Sequence, residues 1–503
     1  MTKALLVYPE NPVTFWSFKY ALKFIRRKAS LPPLGLLTVA SMLPDDWELK
    51  LADLNVEELD EKQLNWADYV LISAMDVQRK STLEVIRRCK LKNKKIIAGG
   101  PLFTSGYEDF QEVDYLVLNE AELTLPDFLW DLEHGYPQHL YTSNKFADIS
   151  VSPVPKWSLV DMSKYATMNI QYSRGCPNDC EFCDITLLFG RKVRTKTRNQ
   201  VITELETIHQ EGWRNEIFFV DDNFIGNKPK LKKEILPAII EWQSENRIPH
   251  MFNTQVSIDL ADDPELINLM TRAGFENVFV GIETPHSESL KECNKFKNEN
   301  RDMLASVNTL QRGGLEVRGG FIVGFDNDPS TIFDSQVDFI QKSGIVTAMV
   351  GLLTALPDTK LYHRLHSENR ILKQSSGDNT DFSVNFIPKM KLEELIKGYQ
   401  RLLTTIYSPK AYHTRVKTFL RKYHQVSHKR KPMSLNQMLA FVKTLFFIGF
   451  WNKASLYYWD LLFWTIFNHP QLFRTSITYT VYGVHFRKII ELNLRRLRSI
   501  PVR

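Results

Sequence analysis

The run Arg174-Gly175-Cys176-Pro177-Asn178-Asp179-Cys180-Glu181-Phe182-Cys183 places three of the chain's five cysteines within eight residues. Its CxxxCxxC spacing offers three thiolates from one loop, one short of the four that close a structural zinc or an ordinary iron-sulfur site. A cluster held this way keeps one iron open to a small chelating ligand. In a reducing compartment, cysteines clustered like this act as metal ligands rather than disulfide partners. A zinc knuckle, or plain surface cysteines, is the alternative. Cys89 and Cys293 have no partner at motif spacing and read as structural.

Six strand-like runs follow from Met168, with helical patterns between them: MNIQYS (168–173), EIFFVD (216–221), HMFNTQ (250–255), NVFVGIE (277–283), VRGGFIVGF (317–325) and VTAMVGL (346–352). Six βα units are too few to close the usual eightfold barrel, so they predict a partial one, with its chemistry at the carboxyl ends of the strands. Three of those ends stand out. Asp221-Asp222-Asn223 follows the second run, Glu283 closes the fourth, and Gly319-Gly320-Phe321-Ile322-Val323-Gly324-Phe325 forms the fifth and its turn. A helix cap or a tight turn explains any one of them alone. Their recurrence at successive strand ends points to a bound ligand.

Upstream, ALLVY (4–8), ELKLAD (48–53), YVLISA (69–74), KIIAGG (95–100) and YLVLN (115–119) alternate with helical patterns. They predict an open, Rossmann-like parallel sheet over residues 1–140, with any ligand at the carboxyl ends of its strands. The candidate loops are Ser73–Gln78 and Gly99-Gly100-Pro101-Leu102-Phe103-Thr104. Residues 141–166 hold Pro153, Pro155 and scattered polar residues without a period, as an interdomain linker does. The barrel then occupies 167–360, and a mainly helical region 361–503. The fold class is therefore α/β with a helical C-terminal part.

At 503 residues, 43% hydrophobic and 24% charged, the chain has the balance of a two- or three-domain globular protein. MTKALLVYPE begins with a strand-like run and not with a charged leader, which predicts a cytoplasmic protein without a signal peptide. The net charge of +6 is unevenly spread: residues 410–503 carry 17 Lys and Arg against Asp460 and Glu491. Phe441 to Phe486 contains 15 aromatic residues, in runs such as TLFFIGFW (444–451) and LLFWTIF (461–467) that are too short to span a bilayer and are interrupted by Lys453 and Asp460. Such helices lie on an anionic membrane surface, wall a lipid-sized pocket, or form a packed cap. No stacking or groove-binding motif suggests nucleic acid.

The cysteine loop resembles the cluster-binding loop of the radical S-adenosylmethionine (SAM) enzymes. The resemblance implies that Cys176, Cys180 and Cys183 hold a [4Fe-4S] cluster whose fourth iron is chelated by SAM, with Phe182 against the adenine. It further implies that Asp222 receives the SAM amino group, that the Glu283 carboxylate accepts the ribose hydroxyls, and that Gly319 and Gly320 admit the adenine side. Pro32-Pro33-Leu34-Gly35, Gly99-Gly100-Pro101 and Asn119-Glu120-Ala121-Glu122 occur in the order found in the cobalamin-binding domains of that superfamily, which places Ser73, Gly99, Gly100 and Thr104 against cobalamin. There is no DxHxxG motif, so no histidine ligand to cobalt is expected from it. With Leu356-Pro357-Asp358-Thr359 and Tyr407-Ser408-Pro409-Lys410-Ala411-Tyr412, most of the chain is similar to cobalamin-dependent radical SAM proteins of the hopanoid C-2 methylase type.

The implied activity is methyl transfer to an unactivated carbon of an apolar, isoprenoid, lipid or polycyclic substrate. It would use a 5′-deoxyadenosyl radical, methylcobalamin, and an electron donor such as flavodoxin or ferredoxin, with peripheral membrane contact through the C-terminal region. A ring-forming or ring-contracting reaction, or a non-catalytic cobalamin or iron-sulfur sensor, stands as the alternative.

Overall fold

The computed structural model describes all residues except 247–249, 379–381, 425–434, 451–453 and 499–503. Lys453, noted above as an interruption, lies outside the described residues. The chain forms two compact units: residues 1–12, 28–177 and 184–222 make the first, and residues 13–27, 178–183 and 223–503 the second.

The first unit contains a six-stranded sheet of β1 (Lys3–Tyr8), β2 (Glu48–Asp53), β3 (Tyr69–Ser73), β4 (Lys95–Gly99), β5 (Tyr115–Val117) and β6 (Leu140–Tyr141). Its order is β2-β1-β3-β4-β5-β6, and every pairing is parallel. Alternate residues of β1 serve opposite faces, so a continuous apolar run is needed: Leu5 and Val7 join Ile72, Ile96 and Phe103, while Ala4 and Leu6 join Leu36, Leu71 and Phe128. The chain reverses direction across the sheet between β1 and β3, the switch point at which open α/β sheets place their ligands. Five of the strands match the apolar runs of the sequence. The sixth, β6, is two residues long.

Residues 141–166 are held against this domain through short 3-10 turns. Trp157 and Tyr165 are buried, and the Tyr165 hydroxyl donates to Asp53 at 2.8 Å.

The remaining strands are β7 (Met168–Ile170), β8 (Ser173–Arg174), β9 (Arg194–Thr195), β10 (Ile217–Phe219), β11 (Phe252–Val256), β12 (Phe275–Glu283), β13 (Glu316–Val323) and β14 (Ala348–Leu352). β8 and β9 pair antiparallel on either side of the cysteine loop. The others form the second six-stranded sheet, in the order β14-β13-β12-β11-β10-β7. β7 with β10, and β11 through β14 in succession, pair parallel, as six βα units require.

The C-terminal part is helical, with helices Lys360–Ser367, Leu392–Ile406, Pro409–Lys422, Leu435–Phe447, Ser455–Asn468 and Phe473–Arg498. Its buried Arg415 donates through Nη1 to Gln341 Oε1 at 2.8 Å and to the Ile406 carbonyl at 2.7 Å, while its Nε has no partner among the described residues. Among the described residues no helix is long and apolar enough to cross a membrane.

Candidate active site

In the first unit, the cysteine loop begins with a turn that only glycine makes easily. Gly175 has φ +89°, and a Cβ there would lie 2.7 Å from the Lys192 carbonyl oxygen and 2.9 Å from that of Gly190. The Cys176 N–H then donates to the Gly190 carbonyl at 3.2 Å. The neighbouring Arg174 is anchored on three sides: to Gln171 Oε1 at 2.7 Å, Glu120 at 2.9 Å and Glu122 at 2.8 Å. Arg194 also reaches Glu120, at 2.7 Å. Burial alone would raise the Glu122 carboxyl, but the hydrogen bonds and charge of Arg174 outweigh it and hold it at about 2. The Asn119–Glu122 segment singled out in the sequence thus fixes the entry to the loop.

The adjacent carboxylates after β10 differ. Asp221 is fully buried and accepts from the Ser173 N–H, the Ser173 hydroxyl and the Tyr172 N–H. Burial pushes its carboxyl to about 7 despite these donors. Asp222 has a buried oxygen, Oδ2, with no hydrogen-bond partner among the described residues. Burial and the nearby Asp184 push its carboxyl to about 6, opposed by the Gly175 backbone and Arg174. Of the pair, Asp222 keeps acceptor capacity for a cationic donor.

In the second unit, residues 178–183 of the loop are strapped by the helix Lys360–Ser367. Arg364 makes a two-pronged contact with Glu181, at 2.6 and 3.0 Å, and also reaches Asp326 at 2.9 Å. Arg370 grips the same Asp326 at 2.6 Å, and Lys360 meets Asp179 at 2.6 Å. Burial opposes ionisation of Asp326, yet Arg370 and Arg364 hold its carboxyl at about 2. The Glu181 N–H donates to the Cys293 carbonyl at 3.1 Å, which gives that buried cysteine a backbone role. The Phe182 ring lies 6.3 Å from that of Phe325, centroid to centroid.

Glu283 closes β12 with φ +62°, at a break in register with β13. Its side chain folds back over Gly281, where a Cβ would collide with Glu283 Oε1, and meets Lys295 Nζ at 2.7 Å. Burial would lower the Lys295 ammonium, but Glu283 and then Cys180 and Cys183 raise it, so this cation stands within electrostatic reach of two thiols of the loop. Nothing in the sequence had singled out Lys295 or Arg364. The space over Gly319 and Gly320 is taken by the chain's own rings: a Cβ at 319 would lie 2.7 Å from the Phe321 ring, and one at 320 would lie 2.7 Å from that of Phe279.

At the carboxyl ends of the first sheet, the four residues read as cobalamin contacts converge. Gly100, at φ +88°, packs so tightly that a Cβ would lie 2.6 Å from the Ser73 hydroxyl. One at Gly99 would lie 2.5 Å from the Val117 carbonyl oxygen. Thr104 Oγ1 accepts from the Asn119 N–H at 3.0 Å. The result is a neutral floor of backbone and hydroxyl groups.

None of the five cysteines forms a disulfide. Among the described residues no group of three or more His, Cys, Asp or Glu could hold a single metal ion. A [4Fe-4S] cube takes its thiolates at separate corners. Three loop thiols, two of them beside the Lys295 cation, therefore have the chemistry that an anionic thiolate cluster needs.

The chain matches a B12 binding domain over residues 24–129, the radical SAM superfamily over 170–330, and a domain of unknown function over 359–499. It is 39% identical to an uncharacterised methyltransferase of Synechocystis sp., over 97% of this chain and 92% of that protein. It is 33% identical to the hopanoid C-2 methylase of Rhodopseudomonas palustris, over 85% of this chain and 80% of that one. Among solved structures it resembles the cobalamin-dependent SAM radical enzyme OxsB with aqua-cobalamin bound, at TM-score 0.65 and 15% identity over 99% of this chain and 81% of that one. It also resembles the radical SAM methyltransferase TsrM from Kitasatospora setae, at TM-score 0.63 and 14% identity over 99% of this chain and all of the other. At such identities the two structures bear on the fold.

Proposed function

This chain belongs to the family of cobalamin-dependent radical SAM methyltransferases that includes the hopanoid C-2 methylase, and we propose that it methylates an unactivated carbon of an apolar, isoprenoid or polycyclic lipid. The observation that carries the substrate class is the relationship to an enzyme named for a hopanoid, which is a polycyclic lipid.

When bound, the [4Fe-4S] cluster, SAM and cobalamin supply the reductive cleavage of SAM and the methyl group. The protein's task is to hold, orient and shield. Cys176, Cys180 and Cys183 each give a thiolate to one iron of the cluster. Arg174 with Glu120 and Glu122, and Arg364 with Glu181, fix the two ends of the loop, so that the thiolates are presented without a search of loop conformations.

Lys295 compensates negative charge beside Cys180 and Cys183 and orients Glu283, whose second oxygen serves the ribose hydroxyls of SAM. The open oxygen of Asp222 accepts the amino group, and Phe182 covers the adenine. Gly319 and Gly320 keep β13 narrow enough for Phe279 and Phe321 to pack, and so shape the adenine side indirectly. Ser73, Gly99, Gly100 and Thr104 form the floor for cobalamin. An electron donor of the flavodoxin or ferredoxin type completes the cycle.

The test is anaerobic turnover of the reconstituted protein with a lipid extract. Release of 5′-deoxyadenosine together with a lipid product heavier by one CH2 is expected. SAM cleavage with a product of unchanged carbon count would mean a ring-forming or rearranging reaction instead.

A further inference from the structure

The helices Leu435–Phe447 and Ser455–Asn468 form a hairpin whose two sides differ sharply. On the inner side, Ile448, Tyr458 and Leu462 pack with Phe473, Ile477, Val481 and Val484 of the last helix. The two helices are fastened to each other by Thr444 and Tyr458, whose hydroxyls lie 3.0 Å apart, and by Trp459 Nε1, which donates to the Gly449 carbonyl at 3.0 Å. The hairpin is therefore an ordered platform.

On the outer side, aromatic rings run unbroken from one helix to the other. Phe446 meets Phe450 at 6.5 Å, Phe450 meets Trp459 at 5.8 Å, and Trp459 stacks on Phe463 at 5.8 Å. Trp459 is partly buried against the inner cluster, whereas the phenylalanines are left in water: Phe446 is 58% exposed, Phe450 68%, Phe463 52% and Phe467 81%. Met438, Val442 and Leu456 extend the same surface. Positions 438, 442 and 446 lie on one face of the helix Leu435–Phe447, and Phe450 follows in the turn after it. A contiguous exposed apolar surface rimmed by polar residues marks an interaction site.

Charge decides between the occupants. Asp460, which follows Trp459 in the chain, is already matched by Lys417 at 2.8 Å. Residues 410–503 as a whole carry 17 Lys and Arg against Asp460 and Glu491. Two copies brought together by this face would set two such regions against each other, whereas an anionic lipid surface attracts them.

We propose that this hairpin docks the protein on an anionic bilayer, seating the side chains of Phe446, Phe450, Phe463 and Phe467 at the boundary of headgroups and acyl chains. For what docking achieves, the inference rests on the lipid-substrate reading: the enzyme would meet its substrate in the plane of the membrane. Docking itself is independent of that reading, since vesicle binding needs no turnover.

The experiment is co-sedimentation of the full chain with phosphatidylcholine vesicles containing or lacking phosphatidylglycerol, at low and high salt. The unmodified protein should pellet with the anionic vesicles at low salt and be released at high salt. Phe450→Ser/Phe463→Ser/Phe467→Ser, with its melting temperature unchanged, should bind at least tenfold more weakly, and Phe467→Ser alone, which touches the most exposed of the four rings, several-fold more weakly. Three results would overturn the proposal: no binding of the unmodified chain to anionic vesicles at low salt, wild-type binding by both variants, or a vesicle-free dimer that the triple variant converts to monomer. Vesicle binding by an enzyme whose methylated product is water-soluble would uphold the docking surface and remove only the lipid-substrate reading.

Discussion

The carboxyl ends of the two parallel sheets are built from opposite chemistries. The first offers Ser73, Gly99, Gly100 and Thr104, uncharged groups whose value is close approach, and a side chain at Gly100 would strike Ser73. Of the second, the first unit's part carries the Asp221 and Asp222 carboxylates, and the second unit's part carries Glu283 with its Lys295 partner and residues 178–183 of the thiol loop, held by ion pairs. A neutral floor suits a large cofactor held through many weak contacts with backbone. A site lined with buried charge suits a small zwitterion that must be oriented, because each charge-assisted hydrogen bond inside a protein is strong and directional. The contrast supports the proposed placing of cobalamin at the first sheet and SAM at the second.

The comparison can be broken at the charged end first. Cys180→Ala should abolish SAM cleavage after reconstitution, and deoxyadenosine release at the unmodified rate would remove the thiol loop from the account. Arg174→Gln comes next. It leaves the buried Glu122 without its cation and Glu120 with Arg194 alone, and should cost about 3–5 kcal/mol of stability by chemical denaturation. A loss below about 1 kcal/mol would show that the pair does not fix the loop.

Glu283→Gln keeps size and removes charge, and should weaken SAM binding by about 1–3 kcal/mol in calorimetry. Unchanged affinity would sink that contact.

Asp222→Asn sharpens the contrast, because an orienting charge comes at the expense of stability. The Asp222 carboxyl sits at about 6 in the folded chain against 3.8 in the open one, so folding favours its protonated form. The stability it contributes is fully present below pH 3.8 and is lost as pH rises through 6. Asn lacks that loss. The cofactor-free variant should therefore be more stable than the parent at pH 8 by about 3 kcal/mol, with the gain vanishing toward pH 4, while its SAM affinity falls. A pH-independent difference would contradict the assignment.

How legible these sites were in the sequence depended on how local their causes are. The strands of both sheets could be read because β1 and its neighbours are buried on two faces and so must be continuous apolar runs. The cysteine loop could be read because its spacing is a chemical statement in itself. β6, with two residues, is too short to carry a period. The segment 141–166 also hid its packing, since Trp157 and Tyr165 are buried from irregular turns that have no period to detect.

Which of Asp221 and Asp222 is structural was not visible either. The answer lies in Ser173 and Tyr172, brought to Asp221 from 48 and 49 residues away. Arg364 reaches Glu181 across 183 residues, and Lys295 meets Glu283 where the backbone takes φ +62° and the carboxylate lies back over Gly281. Contacts of that kind have no local signature, so the charged supports emerged only with the fold, whereas the cysteine loop and the strand-end glycines stood out in the sequence as candidates.

The most direct test of the division between the two sheets is the cobalamin content of anaerobically purified Gly100→Ala and Glu283→Gln proteins, read from absorbance. A Cβ at position 100 would strike the Ser73 hydroxyl at a positive φ and so distort the neutral floor. The account predicts that Gly100→Ala loses most of its cobalamin while Glu283→Gln retains the amount bound by the unmodified protein. Full cobalamin in Gly100→Ala, or its loss in Glu283→Gln, would contradict it.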